Sequence, residues 1–367
     1  MPGPKEEPRG PDEEVVIPFI PPSISDLEEL EEEEEVEERA AQKEEPVIPQ
    51  TLIKLKAYRF RTSKNAWKHV VTTGMNVHPD VEQATDEKKG PCSQLRIISW
   101  NVDFDSPHKE ERLTAALRHI EEDVLKCKED EAPEPCCILL QEVNHLVLPY
   151  LLRDKWVRRW FLVTPYTKDK WPEDAYYGNV TLIARSLNLI ESHILHYGHS
   201  EMSRTALCVK IKLNVPGTQE KRIVSIVNTH LESLPQGTPY RPKQLEMCAR
   251  FLRLNGVYGG VIAGDMNCIS PGDAEIGKRL GLRDSWRKGD GDAGKTWGFQ
   301  GQNAGNFPTA RLDKVFYLPG MGYKVDEPKK IGVGLKIKEF SNEALWVSDH
   351  CGLDTTLRML KPRSNSS

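Results

Sequence analysis

Six apolar runs in this 367-residue chain end, or break, at side chains able to do chemistry. IISWNVDF leads to Asn101 and Asp103, and ILLQEV carries Glu142. IVNTHLES carries Asn228 and His230, and VIAGDMN carries Asp265 and Asn267. ARLDKVF carries Asp313, and WVSDHCGL brings Asp349 and His350 to the start of a strand. Any one of these has a plain explanation. In IAGDMNC, for instance, Asp265 can bond its own backbone in an Asx turn where the strand ends. Six coincident polar interruptions are not explained that way, because strand ends in layered sheets gather along one rim.

The residue types restrict the reaction. No serine or cysteine sits in a nucleophile elbow, which argues against covalent acyl transfer. No glycine-rich loop ends in Lys-Ser or Lys-Thr. What remains is a set of carboxylates, amides and imidazoles. Carboxylate oxygens suit a hard cation such as Mg²⁺. Amides and a protonated imidazole suit phosphate oxygens, and an aspartate can orient or deprotonate a water. Together they make a toolkit for metal-assisted phosphodiester hydrolysis.

The elements that must hold these groups are legible from pattern. Strand-like runs fall at 94–102, 136–143, 179–186, 193–198, 205–213, 222–232, 259–267, 310–318 and 350–360. Helix-like segments fall at 110–128, 241–255 and 272–281. Successive strands without an intervening helix around 179–232 exclude a simple βαβ repeat. The pattern fits an α/β (α+β) fold with a two-sheet β-sandwich flanked by helices.

Charge divides the chain. Residues 1–50 hold 17 acids and 4 bases, while the remainder carries a net charge of +8. The acidic, proline-rich segment cannot bury a core and reads as disordered, with Ser25 and Glu28 placed to cap a transient helix. Its apolar patch EEVVIPFIPP (13–22) reads first as an unbound linker, with a docking strand for a protein partner as the alternative. Residues 51–93 read as a short extension packing on a main domain at 94–360, and 361–367 as a disordered tail. A basic body suggests a polyanionic partner. The N-terminal stretch has no secretory h-region, and no apolar run is long enough to span a bilayer. Eight scattered cysteines without a CxxC pair fit a reducing intracellular compartment.

The motifs SWNVDF, LQEV, NTHLES with RPKQL after it, AGDMN, a Thr296-Trp297 pair, RLDKVF and SDHCGL, in that order, resemble the endonuclease/exonuclease/phosphatase superfamily over residues 94 to about 360. Within it they are similar to the tyrosyl-DNA phosphodiesterase type two branch. The resemblance implies the family's two-sheet fold and Mg²⁺, with Mn²⁺ as a substitute. It implies Glu142 as the main metal ligand, with Asp103 and Asp349 close to the metal. Asp265 would act on the attacking water, Asn267 would hold a phosphate oxygen, and His350, oriented by Asp313, would stabilise the transition state. His230 would donate a hydrogen bond to phosphate, and Asn101 would sit at the metal or its water shell. Arg204, Trp297, Arg241 and Tyr177 are weaker substrate or nucleic-acid contacts, and Met202 and Met247 read as packing. The implied substrate is single-stranded DNA with a 5′-tyrosyl adduct, cleaved by a monomer in the nucleus or the cytoplasm. Two departures bear on the substrate branch. Lys314 stands where an arginine is common, and CIS follows GDMN without a basic residue. Other phosphoesterases of the superfamily, or a non-catalytic binding module, are the alternative readings.

Overall fold

A computed structural model describes residues 50–72, 92–289, 291–301, 307–337 and 345–362. The readings made for residues 1–49, including the helix cap and the docking strand, and for the tail beyond residue 362 lie outside the described residues.

The described strands form two mixed sheets. The first runs β1 (Thr51–Leu55), β8 (Asn188–His196), β9 (Thr205–Asn214), β10 (Lys221–His230), β11 (Val257–Asp265), β13 (Asp313–Tyr317) and β12 (Arg283–Asp284). The second runs β14 (Tyr323–Val325), β16 (Gly352–Met359), β4 (Gln94–Asn101), β5 (Cys136–Asn144), β7 (Tyr177–Ala184), β6 (Phe161–Thr164), β2 (Tyr58–Arg61) and β3 (Ala66–His69). β15 (Lys329–Ile331) also pairs with β16. Residues 51–69, read from the sequence as an extension, supply edge strands to both sheets.

Alternation along the strands sorts the core. On β10, Ile226 joins the large cluster shared by both sheets, while Val227 joins a second cluster. That second cluster lies under α4 (Tyr240–Leu252) and α5 (Pro271–Arg279) through Leu245, Cys248, Leu252 and Ile276. Ser270 and Asp273 close a reciprocal capping box on α5. The helix read at 110–128 is α1 (Lys109–Arg118), continued by a π turn over His119–Val124. Two six-residue helices, α2 (Leu148–Arg153) and α3 (Lys155–Trp160), go beyond the pattern reading. They are too short to show a helical period, and Asp154 breaks the run by capping α3. No described helix is long and apolar enough to cross a membrane.

Two parallel pairs set up the functional rim. β4 and β5 run together in one sheet, and β10 and β11 in the other, so four strand exits lie at one end. β13 and β16 run antiparallel to them, so their entries lie at that same end. A buried amide cluster ties the sheets together beneath the rim. Asn228 Nδ2 donates to the carbonyls of Leu140 and Val180 at 3.2 and 3.1 Å, and its Oδ1 accepts from Gln141 Nε2 at 2.8 Å.

Removing this amide leaves buried partners without water to replace it. Asn228→Ala is expected to cost about 3 kcal/mol of stability in urea unfolding. A loss below about 1 kcal/mol would show that the two sheets do not depend on this tie.

Candidate active site

The sequence-selected groups converge at the rim. Asn101, at the end of β4, donates from Nδ2 to Glu142 Oε1 at 3.0 Å and to Asp265 Oδ2 at 3.1 Å. One amide thus touches carboxylates from both sheets. Glu142 is aimed by a bulge in β5. The register with β7 shifts between Leu140 and Val143, and Glu142 takes φ 58°. Such backbone costs about 1–3 kcal/mol and persists where its surroundings fix it. Here the amide of Phe104 donates to Glu142 Oε2 at 3.0 Å.

Asp265 makes the Asx turn and faces the site as well. Its Oδ1 accepts from the Asn267 amide at 2.9 Å, which leaves Oδ2 turned toward Asn101, His230 and His350. The preceding Gly264 has φ 149°, and a Cβ there would lie 1.8 Å from the Thr229 carbonyl oxygen. That contact holds β11 close against β10 next to His230. Asn267 donates from Nδ2 to the Leu231 carbonyl at 2.9 Å.

The two imidazoles are tuned in opposite directions. His350 Nδ1 pairs with Asp313 Oδ2 at 2.8 Å, and its Nε2 lies 3.7 Å from Asp265 Oδ2. Although burial opposes charge on this ring, Asp313, Asp349 and Asp265 raise its pKa well above the usual histidine value. His230 is held well below that value by burial, by Arg204 and by His350. Arg204 Nη1 reaches His230 Nδ1 at 2.9 Å. A guanidinium can only donate, so Nδ1 accepts and the proton sits on Nε2, 3.4 Å from Asp265 Oδ2. Arg204 also donates to the Tyr177 hydroxyl at 2.9 Å and to Ser233 at 2.7 Å. Tyr177 stacks on Phe104 with ring centroids 4.0 Å apart.

Asp349 accepts from Trp297 Nε1 at 2.8 Å, which places that indole at the site. Two expected residues are otherwise engaged. Asp103, read as a metal neighbour, gives its carboxylate to Arg112 at 2.6 Å, to Ser106 and to two backbone amides, so it anchors the loop leaving β4. Against the cost of burial, Arg112 and Ser106 hold its pKa below the usual aspartate value. Arg241, read as a nucleic-acid contact, is fully buried. It is paired with Asp273 at 2.8 and 3.0 Å and donates to the carbonyls of Glu232 and Leu234. It fastens the chain after β10 to α5.

The carboxylates carry a mark of missing charge. Burial first, and then Asp349, raise Glu142 to about 7, against an opposing pull from Arg204. Burial likewise raises Asp265 and Asp349. A cation among them would offset this crowding, and an all-oxygen donor set fits a hard divalent ion. Ligand atoms of Asp265, Asp313 and His350 also lie within 4.8 Å of one another, a buried trio able to hold a divalent cation. The Asp313–His350 hydrogen bond and the raised imidazole pKa favour a cationic ring there.

A family model described as the endonuclease/exonuclease/phosphatase family matches residues 98–350, from mid-β4 to His350. The chain belongs to the endonuclease/exonuclease/phosphatase family. Among solved structures, this family member is similar to a D. rerio TDP2 humanized by 14 mutations, with 21% identity and a TM-score of 0.55. That match covers 73% of this chain and 100% of the other. It is similar to a truncated Caenorhabditis elegans TDP2, with 20% identity, coverage of 72% and 97%, and a TM-score of 0.55. It is also similar to a D. rerio TDP2 complexed with single strand DNA product, with 20% identity, coverage of 73% and 100%, and a TM-score of 0.54. Likenesses at this identity establish the shared fold. No curated protein matches the chain.

The raised carboxylates give a pH signature. A carboxyl with folded pKa near 7 and unfolded pKa of about 4.3 binds a proton preferentially in the folded state. Its contribution to stability is therefore full below the unfolded value and lost as pH rises through 7. The share of stability that Glu142 contributes to the cation-free protein is expected to fall between about pH 5 and 7. His230, held below its usual value, gains stability with rising pH in that window. The Glu142 share is therefore read as the difference between the parent and Glu142→Gln. Asp103 and Asp273, with lowered values, have completed their own gain below that window. Melting curves of the parent and of Glu142→Gln with chelator test this, and the same pH dependence in both proteins would contradict it.

Proposed function

We propose that this family member is a Mg²⁺-dependent phosphodiesterase that releases a 5′-phosphate end from DNA joined to a tyrosine. The observation that carries the hydrolase reading is the single cluster in which Asn101 joins Glu142 to Asp265, beside one neutral and one cationic imidazole. A bound divalent cation would withdraw charge from a phosphoryl oxygen. Glu142 and Asp349, with Asp265 beside them, would hold it.

The remaining steps belong to the chain. Asp265 Oδ2 orients the attacking water and accepts its proton. Water attacks phosphorus in line, a P–O bond forms, and the opposite P–O bond breaks to expel the leaving oxygen. His350 places positive charge beside the phosphoryl oxygens as charge builds on them, and Asp313 holds its ring in orientation and keeps it charged. His230 donates from Nε2, its orientation set by Arg204. Asn267 keeps a second amide proton for phosphate. A tyrosyl phenolate leaves without a strong general acid, since its pKa is about 10.

The tyrosyl-DNA substrate is supported by the motif set, by Trp297 at the site, and by the half-buried Phe104 and Tyr177 rings beside Glu142. A DNA substrate would bring the protein to the nucleus for part of its time. The half-buried Cys268, directly after Asn267 in place of a basic residue, favours a second reading in which the phosphoester differs.

The test is hydrolysis of a 5′-phosphotyrosyl single strand with Mg²⁺ and with chelator. Parallel lanes hold an abasic duplex, an adenylate tail and a phosphomonoester. We expect 5′-phosphate DNA from the first substrate, lost with chelator and reduced at least about 10²-fold in Glu142→Gln and Asp265→Asn. Turnover in another lane alone would keep the hydrolase and replace the substrate. Silence in every lane would remove the hydrolase reading.

A further inference from the structure

The loop bearing Asp349 and His350 rests on residues 296–301, a segment whose Gln300 has no role in the chemistry above. Thr296 joins two strands of the site. Its Oγ1 accepts from the Asp313 amide at 3.1 Å, and its carbonyl accepts from the Cys351 amide at 2.8 Å. Trp297 forms isolated bridges to Ala310 and to His350. Gly301, with φ 79°, lies flush against Asp349, where an added Cβ would sit 2.4 Å from the Asp349 Cβ. Between them Gln300 is buried. Its Nε2 donates to the carbonyl of Ser348 at 2.9 Å and to that of His350 at 3.1 Å, and its Oε1 accepts from the Gly334 amide at 3.1 Å. Trp100 Nε1 reaches the same His350 carbonyl from β4 at 3.0 Å.

We propose that Gln300 is a positioning residue for His350. The carbonyls it binds belong to the 348–349 and 350–351 peptides, so one amide fixes the peptide plane before Asp349 and the plane after His350. With those planes fixed, the backbone of His350 has little freedom, and its ring stays on Asp313 and within reach of Asp265. The chemistry is specific to an amide. Two carbonyls require N–H donors and Gly334 requires an acceptor, and glutamine supplies both from one planar group. An isosteric glutamate would keep the acceptor and lose the donors. A carboxylate oxygen would then face two buried carbonyl oxygens and push the loop away from the bracket. Displacement of a reacting group by about 1 Å costs about 10²-fold in rate.

The kinetic consequence rests on the phosphodiesterase reading, and the structural one does not. The experiment therefore uses two readouts on the full chain. The first is the downfield proton resonance of the buried imidazole N–H bonded to Asp313, recorded without substrate or metal and assigned by its loss in His350→Gln. The second is turnover of the 5′-phosphotyrosyl strand with Mg²⁺. In Gln300→Glu the resonance is expected to shift or broaden away. kcat is expected to fall about 10²-fold with KM changed less than about threefold. In Gln300→Met, which loses the hydrogen bonds without adding a charge, the fall is smaller and in the same direction. Were the glutamate variant unable to fold, Gln300→Met carries both readouts. An unmoved resonance with kcat within about threefold of the parent would overturn the proposal. So would a raised KM with unchanged kcat, which would place residue 300 in substrate binding. If the parent shows no turnover of this strand, the tyrosyl-DNA reading fails while the resonance still decides the role of Gln300.

Discussion

The amide of Asn101 binds a carboxylate from each sheet, and the arrangement of the rim follows from that contact. Glu142 belongs to β5 and Asp265 to β11. The two carboxylates repel each other, and the amide places a donor against each of them. Asn101 serves both at about 3 Å and remains neutral, so it joins the sheets without cancelling the negative charge that a cation needs. Beneath it the Asn228–Gln141 pair repeats the device with amides alone. The polar tie between the sheets is therefore continuous from the interior to the functional rim.

Burial lowers both imidazoles, and their neighbours decide which of the two keeps its charge. Both rings are buried. Arg204 faces His230 with a donor, which excludes a proton from Nδ1. Asp313 faces His350 with an acceptor, which retains one. One site thereby holds a neutral hydrogen-bond donor and a fixed cation built from the same side chain. Pairs of titratable groups pushed apart in this way are a signature of divided acid–base roles.

The chemistry was more legible in the sequence than the support for it. Strand exits marked by WNVD, LQEV, NTHLES and GDMN could be read because apolar runs announce strands and polar breaks announce their ends. The same local reading misses the partners. Arg241 has the right residue type in the right motif but is buried on Asp273, and Asp103 is anchored by Arg112; both partners lie in helices whose placement no local pattern encodes. α2 and α3 were invisible because six residues show no period. Gln300 carries no signal of its own. Its meaning comes from two carbonyls some fifty residues later in the chain, and backbone groups leave no trace in residue identity.

The strand order has a consequence for biosynthesis. β4, which forms early in the chain, lies between β5 and β16, and β16 is the last described strand. Arg96 on β4 pairs with Asp354, 258 positions away, and Trp100 holds the carbonyl of His350 across 250 positions. A nascent chain that has emerged through β13 already possesses Glu142, Asp265 and Asp313. It still lacks the imidazole that Asp313 orients and the strand that closes the sheet beside β4. Contacts of such long range form late because loop closure must precede them. The rim therefore closes with the final described strand, and a chain interrupted before it carries Glu142, Asp265 and Asp313 without the imidazole between them.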